Sequence, residues 1–156
     1  MDFLQNQIII KLSSKYDDIY EKFNKEMNFP YQQLFLICVT LGASQGKKVI
    51  SEDRKGREFR STYFKEEQKP LLYSIILNDE NLGKDIERFN DPKFVNQAIK
   101  LLIEYANGGM ELLIENVFKD KWNGVKLDDH YHDYDVDILR YAYDILNDDS
   151  VEAAPF

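Results

Sequence analysis

A chain of 156 residues lies within the range of one domain, and 44% apolar with 13% aromatic residues can build a core, which excludes a disordered chain. A net charge of -8 argues against general nucleic-acid binding. Cys38 is the only cysteine, so an intrachain disulfide is excluded, and its neighbours "LFLICVTL" predict an inert buried thiol.

The amino terminus, "MDFLQNQIIIKL", has no basic region and no small-residue cleavage site, and no stretch approaches the ~20 apolar residues of a membrane span. The expectation is a cytoplasmic protein without membrane contact. "QIIIKL" is a weak strand signal. Apolar spacing at Tyr16, Ile19, Tyr20, Phe23 and Met27 predicts a helix over 14–26, with Ser14 and Asp17 suited to its amino-terminal cap. After Pro30, "YQQLFLICVTLGAS" is apolar on nearly every side from Leu34 to Val39 and predicts a central helix. "KKVIS" and "EFRST" flank the turn-like "EDRKG" and predict one small hairpin.

"PLLYSIILND", residues 70–79, predicts the next helix, with Leu71 and Leu72 one turn from Ile75 and Ile76. In "DPKFVNQAIKLLIEYANGG", Asp91 is the expected cap, Pro92 the first helical residue and Asn107-Gly108 the stop. Gly109 then turns the chain into "MELLIENVF", so a tight helical hairpin is expected there. Tyr134, Ile138, Tyr141, Ala142 and Ile145 form the stripe of a last helix. The predicted fold is mainly α: a compact helical domain of about six helices with at most one small β-hairpin. It forms a single domain over 1–148, with 149–156 as a frayed acidic tail.

"LDDHYHDYDVD", residues 127–137, holds both histidines and five aspartates. Calcium binding by Asp133, Asp135, Asp137 and Asp144 fails on Ile138, which stands where an EF-hand needs glycine and belongs to the helical stripe. A divalent transition metal held by His130, His132, Asp133 and Asp135 is the second reading, since imidazole and carboxylate suit zinc, manganese or iron. The favoured reading needs no cofactor: Asp133 or Asp135 caps the last helix, Asp137 meets its dipole, and the histidines lie in a polar loop whose aspartates favour their protonated form.

Charge is uneven. Between residues 47 and 60, Lys47, Lys48, Arg54, Lys55, Arg57 and Arg60 stand against three acids, and this stretch is the candidate for nucleic-acid or partner binding. From Asp128 to Phe156, nine acids face the single Arg140, which suits docking to a basic protein surface or mimicry of phosphate charge. The chain has no Gly-x-x-x-x-Gly-Lys-Ser/Thr loop, no Gly-x-Ser-x-Gly elbow and no His-Glu-x-x-His motif. With both histidines in one loop, an acid–base pair is hard to assemble, so a non-catalytic protein is favoured over an enzyme.

"IIIKLSSKYDDIYEKF", "TLGASQGKKVI", "KPLLYSIILNDENL" and "IEYANGGMELLIE" together resemble the small proteins encoded beside bacterial DNA phosphorothioation (Dnd) and related phage-defence operons. The resemblance covers residues 8–118 and is sharpest at Leu41-Gly42, Gly46-Lys47-Lys48 and Glu104–Gly109. It implies an accessory protein of a DNA-modification, restriction or antiviral defence system, with protein subunits of that complex as partners and DNA as a further one. It carries no catalytic residues across, and the histidine cluster lies outside it. Two other functions stay open: a metal-dependent nuclease built on His130, His132, Asp133 and Asp135, and an acidic DNA mimic or antitoxin-like inhibitor. Oligomerisation is open as well.

Overall fold

A computed structural model describes residues 3–84 and 86–147; the expected tail, 149–156, lies outside the described residues. The chain is a mainly α domain with, among the described residues, five α-helices and one two-stranded sheet: β1 (Ile9–Lys11), α1 (Asp17–Met27), α2 (Tyr31–Ser44), β2 (Glu58–Arg60), α3 (Lys69–Leu77), α4 (Pro92–Asn116) and α5 (Tyr134–Leu146). Among the described residues no helix is long and apolar enough to cross a membrane.

The axis of the molecule is α4, 25 residues or roughly 37 Å long. Asp91 caps it as expected, accepting from the Lys93 amide at 3.0 Å, with Pro92 at its first position. Phe94, Ala98, Leu102, Ala106, Met110 and Leu113 recur at helical spacing and are buried. Against this face α2 runs antiparallel, placing Leu34, Phe35, Cys38 and Val39 in the core. Burial pushes the Cys38 thiol up, which keeps it protonated and inert.

The stop expected at Asn107-Gly108 does not occur: α4 runs straight through Asn107, Gly108 and Gly109, so the predicted helical hairpin is one helix and five helices replace about six. The reason is tertiary. A Cβ on Gly109 would collide with the carbonyl oxygen of Cys38, one on Gly108 with that of Lys47, and one on Gly42 of α2 with that of Tyr105. Asn107, only 3% exposed, donates its side-chain amide to the Val49 carbonyl at 3.3 Å. These residues are small or polar because backbone presses against them, and the packing they permit outweighs the ~1 kcal/mol that each helical glycine costs relative to alanine.

The sheet also differs from expectation. Of the three strand signals "QIIIKL" and "EFRST" form strands and "KKVIS" does not: 58–60 pairs antiparallel with 9–11 instead of with 47–51, in a register that sets Ile10 opposite Phe59. Ile10 and Phe59 are buried while their neighbours along each strand are exposed, so burying one apolar residue from each strand selects this pairing. Residues 47–57 form no strand. They make an extended strap whose backbone bonds go elsewhere: Lys47 amide to Gly42 carbonyl (2.8 Å), Val49 amide to Glu104 carbonyl (3.0 Å), and Gly56 amide to Leu12 carbonyl (2.9 Å).

At α1 the cap is also rearranged. A single 3-10 turn, 14–16, precedes the helix; Ser13, not Ser14, caps that turn, and Ser14 donates to Asp53 of the strap at 2.5 Å. Asp17 accepts from the Arg57 amide at 2.9 Å. Residues that looked like local helix signals are thus the ties that hold the strap.

Candidate interaction surfaces

The strap and β2 do not present the six cations of 47–60 as one patch. Lys47 pairs with Glu115 at 3.0 Å, and Arg57 pairs with Glu21 while its buried Nε has no hydrogen-bond partner among the described residues. Arg54 folds back on the carbonyls of Ser51 (2.6 Å) and Asp53 (3.0 Å). Lys48, Lys55 and Arg60 are exposed and form no ion pair among the described residues; Lys48 lies 5.6 Å from the centre of the Tyr105 ring. Half of the cations therefore serve the scaffold and half face solvent.

Two shallow depressions flank the exposed side of α4. One is lined by Lys48, Asp79, Lys100 and Glu104 among others, the second by Lys11, Glu52, Arg54 and Lys100. Lys11 and Lys100 join the basic segment here, and the sequence reading missed both because each is a lone cation in its own stretch. Helical spacing of exposed positions along 92–104 was the signal available for Lys100. Carboxylates interleave with these cations, so the field is mixed.

At the acidic end, the turn at 118–133 is fastened to α1. Asp18 accepts from the Leu127 amide at 2.8 Å, and Lys22 donates to the Asp128 carbonyl at 3.0 Å. Leu127, Tyr131 and Tyr134 thereby reach the core beside Phe23 and Phe118, with the Phe23 and Tyr134 rings 4.7 Å apart. The Tyr134 hydroxyl donates to Glu26 at 2.5 Å, and this bond is the main reason the Glu26 carboxyl is held below its usual range.

His130, His132, Asp133 and Asp135 are all exposed. The Nδ1 of His132 lies 3.5 Å from Glu26, and the backbone amide of His130 donates to Asp128 at 2.9 Å. Among the described residues no three His, Cys, Asp or Glu side chains gather as a metal-holding group. The capping expectation is corrected in its detail. Asp133 occupies the position before α5, but its side chain makes no cap bond, and Asp137 in the first turn accepts from the Tyr131 hydroxyl at 2.7 Å instead. That bond and burial push the Tyr131 hydroxyl up, burial contributing most.

The sequence reading missed an apolar surface at this same end. Phe23 and Met27 of α1, Phe29, Ile37 of α2, and Ile138 and Leu139 of α5 line a groove of about 280 Å³ in which Asp135 is the single charged residue. On the outer side of α5, Val136, Leu139 and Tyr143 are 48%, 70% and 66% exposed. Their i, i+3, i+7 spacing gives α5 a second apolar stripe, opposite the one buried at Tyr134 and Ile138. That spacing was legible, but an outward stripe is distinguished from an inward one only once the helix is docked. Compared with models of known protein families, with curated proteins and with solved structures, the chain matches none.

Proposed function

We propose that this protein is a non-catalytic interaction subunit of a bacterial DNA-modification or anti-phage defence system, docking a partner protein through its acidic carboxy-terminal end. The observation that carries the interaction role is α5 itself: a helix apolar on two opposite faces has a place for a neighbour on the face its own fold does not cover. The link to defence rests on the resemblance alone. Its sharpest parts, Leu41-Gly42, Gly46-Lys47-Lys48 and Glu104–Gly109, meet at the α2–α4 crossing, so the resemblance draws on scaffold residues. In this reading DNA is a secondary partner, met by Lys48 and Lys55 of the strap and Arg60 of β2, which face outward.

The test is affinity purification of the tagged protein from its native host, with and without nuclease, followed by mass spectrometry. A stoichiometric protein partner that survives nuclease and belongs to a DNA-modifying or restricting complex is the expected result. Recovery of the protein alone overturns the subunit reading.

A further inference from the structure

We propose that the groove between α1, α2 and α5 seats a basic amphipathic helix of the partner. This rests on the interaction-subunit reading and names the segment that the surface takes. The shape suits a helix laid into an apolar cleft: Phe23, Met27, Phe29 and Ile37 form one side, Ile138 and Leu139 the other, and Leu139 joins the groove to the exposed stripe of Val136 and Tyr143. The apolar face of a docked helix with anchors at i, i+3, i+4 and i+7 covers both.

Charge chooses the occupant. Among the described residues Asp135 is the one charged residue in the groove lining and no cation lines it; Glu26 of α1 and Asp137 and Asp144 of α5 stand on the elements that form it but outside that lining. The cations on those elements are Lys22, Lys25 and Arg140. Lys22 is engaged with the Asp128 carbonyl and lies 3.9 Å from Glu26, and Arg140 lies 3.9 Å from Asp137. The one charge in the lining is therefore negative. It disfavours a second copy of this acidic chain and favours lysine and arginine flanking an apolar stripe.

The probe is a short fluorescein-labelled Leu/Lys peptide with leucines at i, i+3, i+4 and i+7, titrated by anisotropy against the full chain, with a Leu/Glu peptide of the same apolar spacing as its control. Saturable binding of the Leu/Lys peptide alone is expected. Leu139→Asp is expected to weaken it at least about tenfold although it adds a negative charge, and Asp135→Lys also weakens it. Both positions are exposed, and circular dichroism confirms that each variant folds. Attraction by charge alone would make Leu139→Asp bind as tightly as the parent or tighter, and that result overturns the proposal. So do equal binding of the Leu/Glu peptide, no saturable binding, or a dimer in sedimentation that Leu139→Asp converts to monomer. In the native host, a partner retained by Leu139→Asp removes the groove but keeps the subunit reading; no partner even with the parent chain removes both.

Discussion

Gly109 in α4 lies directly against the carbonyl oxygen of Cys38 in α2, with no space for a methyl group between them. Gly109→Ala therefore forces two helix backbones apart at the centre of the core. The substitution gains about 1 kcal/mol of helix propensity, yet a net loss of about 2–3 kcal/mol is expected because backbone cannot move aside as a side chain can. Gly46 is the contrast, with φ +65° and open space around it. Gly46→Ala is expected to cost about 1 kcal/mol from backbone conformation alone. Urea midpoints of the two variants, at unchanged slope, check the order.

Asp53 predicts a pH dependence. Its carboxylate accepts from the Ser14 hydroxyl at 2.5 Å and amide at 2.9 Å, and from the Lys55 amide at 2.9 Å, which lowers its pKa to about 2, the Ser14 hydroxyl contributing most. Because the folded value is depressed, the contribution is fully present above the unfolded value near 4 and is lost as pH falls toward about 2. For this solvent-screened group, Asp53→Asn is expected to cost about 1 kcal/mol at neutral pH. The gap to the parent chain should close between about pH 4 and pH 2 in denaturant titrations. A gap independent of pH would refute the assignment.

The Asp18 carboxylate on the Leu127 amide predicts a local effect. Asp18→Ala removes a charge-assisted bond worth about 1.5–3 kcal/mol, one of the two hydrogen bonds, with that of Lys22, that tie residues 127–128 of the turn to α1. Amide hydrogen exchange at Leu127 is expected to accelerate far more than exchange in the middle of α4. Equal acceleration at both would mean that the turn opens only with the whole fold.

For the strap, the structure separates cations that a composition count lumps together. Joint substitution of Lys48, Lys55 and Arg60 by Glu is expected to weaken retention of labelled duplex DNA at low salt, lowering the salt slope by about 1 for each phosphate that is no longer neutralised. Lys47→Ala and Arg57→Ala break the pairs with Glu115 and Glu21, so they are expected to act on stability, by up to about 1 kcal/mol. DNA binding unchanged in the triple variant would remove the strap as an interface.

Where local chemistry and burial agree, the sequence was read correctly. Asp91-Pro92 opens α4, the stripe of Tyr134, Ile138 and Tyr141 forms the inner face of α5, and Cys38 lies in the core. Each of these depends on residues within one or two helical turns, whose caps and periodicity act over that range. The continuity of α4 through Asn107-Gly108-Gly109, the pairing of Ile10 with Phe59, and the division of the strap cations between carboxylates and solvent were decided only by the tertiary structure. The physical reason is the same in all three: a glycine that stops a helix in isolation also admits a neighbouring backbone, and a cation or strand edge is satisfied by whatever partner folding brings to it. Those partners lie tens of residues away along the chain, where no local pattern records them.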